Sequence, residues 1–194
     1  MRVSREVMAL RHEEIIDQTS KMLRQRGIGG TSLADLMAAV GLTHGGFYKH
    51  FESKEALVAE ATARIFAEIN TRFETRSKSQ GVKAALALYV RDYLTMAHLK
   101  NPELGCPMPS FGPDVGREEG NVKAVFTLGT KTLLSLVMEG LSCPQDERRG
   151  RAIELLSLLS GAVLIARATD DEKLSNEIIA IARKRATKLI EAKR

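Results

Sequence analysis

The sequence predicts an all-α protein of about nine helices, and three observations predict it. No segment alternates apolar and polar residues with β-branched enrichment, so strand signals are absent. Apolar residues recur at helical spacing through most of the chain. Capping residues and glycine stops punctuate those runs. The first helix runs from Arg5 to Arg26, with Ile15, Ile16, Thr19, Met22 and Leu23 on its apolar face, and "RGIGG" stops it. The second starts at Thr31–Ser32, where Ser32 with Asp35 three residues on resembles a capping box. Leu33, Leu36, Met37 and Val40 form its buried face, and Gly41 ends it. A short third helix follows Thr43, a good N-cap, and ends near Phe51. Ser53 caps a longer fourth helix reaching about Ser77, with Leu57, Val58, Ala61, Ile65 and Ile69 facing inward. "SKSQG" interrupts the pattern, and a fifth helix covers Val82 to Leu99. "NPELGCPMPSFGPDVG" holds four of the five prolines and admits only a short helix. Glu118–Leu141, Gln145–Ala168 and Asp171–Lys193 complete the set.

A chain of 194 residues fits a small domain joined to a larger one, here residues 1–56 and 57–194. Its 44% hydrophobic and 27% charged residues are ordinary for a soluble protein. The longest apolar run falls well short of the roughly 20 residues that span a membrane. The N-terminus lacks the apolar core of a signal peptide, so a cytoplasmic protein without a membrane partner is expected. Cys106 and Cys143 sit in no C-x-x-C or C/H cluster, which argues against zinc. No acid–base pair, metal cluster or phosphate loop stands out, so neither an enzyme nor a cofactor is expected. A net charge of +5 is compatible with nucleic acid. The densest basic stretch, "ARKRATKLIEAKR", reads as a solvated helix face.

The stretch "GLTHGGFYKHFESKEAL" places Gly45 and Gly46 side by side where helix is expected. Each glycine inside a helix costs roughly 1 kcal/mol relative to alanine. The preceding residues explain the choice. Leu36–Val40, the turn Gly41-Leu42-Thr43 and a short helix have the spacing of a helix-turn-helix, whose second helix enters the DNA major groove N-terminus first. Gly45 and Gly46 then lie on its first turn, where small residues let the backbone come close to DNA. Phe47 and Phe51, four apart, pack inward, leaving Tyr48, Lys49 and His50 for phosphates. Core packing is the competing reading of Tyr48 and His50.

This stretch resembles the signature of the TetR family of bacterial repressors, and "RGIGGTSLADLMAAVG" is similar to the segment before it. The likeness is specific over about residues 10–58 and architectural beyond. Met37 departs from the alanine common in helix-turn-helix proteins. The resemblance implies that Ser32 bonds phosphate at the start of the second helix. It places Thr43, His44, Gly45 and Gly46 nearest base edges. It sets Tyr48 and His50 on phosphate oxygens, with Lys54 reaching a phosphate from the fourth helix. These are donor groups at helix N-termini, where anions are favoured. His44 is then the main polar reader of bases.

The segment "AIELLSLLSGAVLIARA" is apolar nearly all round, and Ser157, Ser160 and Gly161 are small enough for another helix to approach. The resemblance implies that this helix and the last one pair with their copies in a homodimer, with Leu164, Ile178 and Ile181 also at the interface. A larger monomeric core is the alternative. In relatives the middle helices hold an inducer pocket, and Tyr89, Tyr93, Met96, His98, Met108, Phe111, Phe126 and Met138 are candidates to line it. Ordinary core packing is the competing reading. Pro107 suits a first helical position, which makes Cys106 an N-cap whose thiolate the dipole would favour. Cys106 is therefore a candidate redox or electrophile sensor, with an inert buried cysteine as the alternative. Cys143, at a helix end, has the poorer claim.

The function expected is a homodimeric transcriptional regulator that binds a palindromic double-stranded DNA operator. A small apolar or electrophilic inducer would release it. An activator or an architectural DNA-binding protein is the nearest alternative, and a small-molecule carrier or enzyme with a vestigial DNA motif a more remote one.

Overall fold

The computed structural model describes residues 5–191, and all regular structure among them is helical. The helices are α1 (Arg5–Arg26), α2 (Leu33–Ala39), α3 (His44–Phe47), α4 (Lys54–Gln80), α5 (Val82–Tyr93), α6 (Met96–Lys100), α7 (Pro107–Val115), α8 (Asn121–Gly140), α9 (Gln145–Ala168) and α10 (Glu172–Glu191), with a 3-10 turn at Pro102–Leu104. The last residues expected in the final helix, 192 and 193, lie outside the described range.

Local signals set most boundaries. The Ser32 hydroxyl accepts from Asp35 N–H while the Asp35 carboxylate accepts from Ser32 N–H, completing the capping box of α2. Thr43 and Ser53 cap α3 and α4 through bonds to Gly46 N–H and Ala56 N–H. One expected helix breaks in two. Residues 82–99 were read as continuous, yet α5 ends at Tyr93 and Leu94 leaves helical geometry, with φ −94° and ψ 62°. Thr95 then caps α6 by accepting from His98 N–H, and the Arg183 guanidinium of α10 takes the Leu94 carbonyl. A hydroxyl that competes for backbone amides and a cation that accepts no helical role together stop the helix.

Two apolar cores lie along the molecule. One gathers Ile15, Leu23, Leu36, Phe47, Phe51, Leu57 and Ile65 with Phe111, Val115 and Val122. The larger one gathers Leu86, Tyr93, Leu133, Val137, Leu155, Leu159, Val163 and Ile179. Half-buried Ile69 of α4 packs against both. The expected division after residue 56 falls inside the long helix α4, and α7 and α8 supply side chains to the first core. The pattern break at "SKSQG" is the turn from α4 to α5, made by Gly81 at φ 86°. Helix α8 lies directly on α4, and Gly129 permits it: a Cβ there would sit 2.2 Å from the Phe66 ring.

Candidate nucleic-acid interface

Helices α2 and α3 are joined by a turn whose geometry follows from Gly41. It takes φ 64°, a left-handed conformation that side-chain-bearing residues rarely adopt. Gly41 N–H reaches Ala38 O at 3.2 Å and Leu42 N–H reaches Met37 O at 2.9 Å, the paired bonds of a Schellman stop. Val40 and Met37 bury against Leu36, Phe47 and Phe51 in the first core, so α3 is fixed relative to α2. Two residues of α1 that sequence reading passed over lock this pair. The Arg11 guanidinium donates to the Val40 carbonyl at the end of α2. The His12 ring stacks on Phe51 at 4.4 Å and bonds Glu60 at 2.9 Å. Both act across long sequence separations, and no local pattern announces them.

The outer side of α3 is exposed. A Cβ on Gly45 would meet nothing within 4 Å, and one on Gly46 would make only ordinary contacts with Leu42 and Thr43. Neither glycine has a positive φ. The fold itself therefore demands neither. Tyr48 is 58% exposed, its ring edge-on to Phe47 at 5.1 Å, and Lys49 is exposed beside it. Core packing is thus excluded for Tyr48. His50 is half-buried near His12 and Phe51. Burial, followed by electrostatic repulsion from the His12, Arg11 and Lys49 side chains, lowers its pKa, so the neutral ring prevails near neutral pH.

Other expected contacts are already engaged. The Ser32 hydroxyl donates to Asp35 Oδ2 at 2.6 Å, a bond it must leave to donate elsewhere. That hydroxyl, then the Ser32 N–H, lowers the Asp35 pKa. The Lys54 ammonium lies 3.3 Å from the Ile28 carbonyl and is half-buried, tying the start of α4 to the turn after α1. Two further donors on that nitrogen remain for a phosphate. His44 opens α3, and its side chain lies outside the described part of the structure.

The family profile of the bacterial regulatory proteins, tetR family, matches residues 15–61. The chain is 30% identical over 132 residues to the HTH-type transcriptional repressor DhaR of a Mycobacterium species, covering 66% of each chain and so just under two thirds of that relative. It is 24% identical over 180 residues to the transcriptional repressor ComR of Escherichia coli, covering 77% of this chain and 85% of that one. The fold matches the crystal structure of the reduced form of Escherichia coli NemR with a TM-score of 0.76 at 20% identity, over 93% of this chain and 96% of that one. It matches an Agrobacterium tumefaciens TetR family regulator with a TM-score of 0.77 at 17% identity, over 92% and 98%. Over residues 15–61, and in its fold, this chain is similar to the TetR family. It has a TetR-like fold, with a helix-turn-helix head and a helical body.

The helical body separates the residues expected to line one cavity. Tyr89 and Tyr93 of α5 line a recess against Ile69, Phe73 and Arg72 of α4, closed at one end by His98, Leu104 and Cys106. Its empty space is about 550 Å³, part of it open to solvent. Phe111 is not there: it is fully buried in the first core, with Phe126 edge-on to it at 6.2 Å. Met96 lies in a surface groove with Lys100 and Arg167, and Met108 in another with Leu156 and Ser160. Met138 packs on the second core. The shared cause is helical rotation: these residues carry apolar side chains at helical spacing, but on faces turned to different neighbours.

Cys106 is the N-cap of α7, as expected, but makes no side-chain cap bond. It is 4% exposed, and burial pushes its thiol pKa up despite the Tyr93 hydroxyl and Met108 N–H beside it. The expected favouring of the thiolate is therefore overturned by desolvation. Cys143 is also buried, and it lies just before α9 rather than at the end of α8.

On α9 and α10, which pack on each other, Leu164 (43% exposed), Ile165, Leu174 and Ile181 (62%) face outward. Ser157 is exposed and Gly161 has open space over its Cα. Ser160 instead turns inward to the Met108 sulfur at 3.6 Å, and Ile178 is half-buried on the second core. No helix among the described residues is long and apolar enough to cross a membrane.

Proposed function

We propose that this chain is a homodimeric repressor that binds a palindromic operator through α3 and leaves it when a small apolar molecule occupies the body. The observation that carries the reading is the pair of glycines on α3, Gly45 exposed and Gly46 half-buried, that the fold does not require. A glycine with no internal reason, on the first turn of a helix in recognition position, is explained by a partner that approaches the backbone. Thr43, His44, Gly45 and Gly46 would face base edges, and Ser32, Tyr48, Lys49, His50 and Lys54 would bond phosphates. The outward row of Leu164, Ile165, Leu174 and Ile181 supports a second copy docking on α9 and α10. A two-fold pair sets two recognition helices about 34–36 Å apart, in successive major grooves. A ligand that prefers a body with another spacing shifts the population away from DNA.

The recess beside Tyr89 and Tyr93 supports reversible, non-covalent binding. Burial and the raised thiol pKa make Cys106 a poor nucleophile, which favours an apolar ligand over an electrophilic one. The reading is tested by selecting bound fragments from genomic DNA with the purified chain, then titrating the recovered site at several salt concentrations. A palindromic site, bound two chains at a time with affinity falling steeply with salt, is the expected result. Fragments without two-fold symmetry, or salt-independent binding, contradict it.

A further inference from the structure

We propose that the recess between α4 and α5 takes a small organic carboxylate, its apolar body against Ile69, Phe73 and Leu104 and its carboxylate on Arg72 and the Tyr89 hydroxyl. The proposal rests on reading the chain as ligand-responsive and names the chemistry of that ligand.

The recess offers more donors than the protein satisfies. The hydroxyl of Tyr89 is buried and has no hydrogen-bond partner, while that of Tyr93 lies against Cys106 and Ser160. Burial, the largest influence, pushes both phenols well above 10, so they stay protonated and act as neutral donors. The charges at the rim do not balance either. Arg76 pairs with Asp92 at 2.8 Å, and Arg91 shares the same carboxylate at 2.9 Å. Burial would raise Asp92, but hydrogen bonds from Arg91 and Arg76 outweigh it and hold the group below the usual carboxylate range. Asp92 is thus ionised and fully engaged. Arg72 also lines the recess, close enough to Tyr89 and His98 to act on both, and no ion pair to it exists among the described residues.

His98 adds no positive charge and no free donor. Burial lowers its pKa, with the Arg167 and Arg72 cations adding to that against the opposing Tyr93 carbonyl bond. Its Nδ1–H donates to Tyr93 O at 2.6 Å, which leaves Nε2 to accept from Cys106 N–H at 3.4 Å. The surplus is therefore one guanidinium and the buried Tyr89 hydroxyl over an apolar wall. A carboxylate satisfies this surplus, since guanidinium and hydroxyl donors both bind it by charge-assisted bonds. A neutral amide brings its own unmatched N–H donors into a site already rich in donors.

The test uses the full chain without DNA and matched pairs of probes: benzoate and benzamide, phenylacetate and phenylacetamide, octanoate and octanamide. Affinities are read by calorimetry and by the rise in Tm. The expected result is that acids bind at least about tenfold tighter than their amides. Arg72→Gln should bring that ratio to about one without lowering the Tm of the free protein, because Arg72 is exposed and unpaired. Tyr89→Phe should weaken the acids more than the amides. Amides that bind as well as acids overturn the carboxylate and leave ligand response standing. An acid preference that survives Arg72→Gln overturns the placement. Binding by neither class overturns both the carboxylate and the recess as the ligand site, while DNA binding is judged separately by the operator titration.

Discussion

His50 shows how a single residue joins fold to function. Its ring sits against His12 and Phe51, and burial together with the nearby cations holds its pKa below 6.5. A phosphate placed on the ring reverses part of that, because an anion favours the charged form. The bound pKa then exceeds the free one, so DNA binding takes up a proton between the two values. Operator affinity is expected to rise as pH falls through the interval between the bound and the free pKa, and His50→Gln should remove much of that slope. An unchanged slope in the variant would assign the proton to another group. The residues legible in the sequence were those whose work is local. Ser32 with Asp35, Gly41 and Thr43 all act within a few positions, where spacing alone carries the signal. Arg11 and His12 were illegible for the opposite reason. Arg11 bonds a carbonyl 29 residues away, and His12 bonds a carboxylate 48 away.

Among the elements, α7 ties head to body. Its C-terminal turn carries Asp114, whose Oδ2 accepts from Ile28 N–H at 2.8 Å in the turn between α1 and α2. A few residues later the traffic reverses. Gly120 gives α8 no side-chain cap, and Glu55 from the start of α4 supplies one by accepting from Asn121 N–H at 3.1 Å. The other end of α7 begins at Cys106, on the wall of the recess. One nine-residue helix therefore touches both the recess and the turn that leads into the helix-turn-helix. Asp114→Ala removes the acceptor from a partly buried N–H, at a cost of about 1 kcal/mol. Hydrogen exchange should then quicken by about fivefold at Ile28 and through α2 and α3, with α9 and α10 unchanged. A uniform change, or none, would show that the bond does not couple the two parts. The sequence announced α7 through its prolines but not this role, since Asp114 and Ile28 lie 86 positions apart. The break at Leu94 was hidden likewise, because Arg183 reaches it across 89 positions while residues 82–99 keep helical spacing.

In the proposed function the whole molecule depends on two surfaces, one for DNA and one for its own copy. Leu164 and Ile181 are exposed in the single chain, so a charge there does not disturb the interior. Ile181→Glu should keep the helical content and still sediment as a monomer, because an unpaired charge in a closed interface is strongly unfavourable. An intact dimer would move the interface elsewhere. Helix α9, apolar nearly all round, leaves Ile153, Leu164 and Ile165 exposed, and an interface between copies would cover such side chains. The central claim concerns α3, whose glycines the fold leaves unexplained. Gly45 has open space over its Cα and an ordinary backbone, so a larger residue meets no obstacle inside the protein. Leucine also favours helix over glycine by up to about 1 kcal/mol. The most direct measurement is therefore the Tm and the operator affinity of Gly45→Leu, taken together. The account predicts an equal or higher Tm with affinity reduced by about tenfold or more. A variant that is equally stable and still binds the operator at full strength would contradict it.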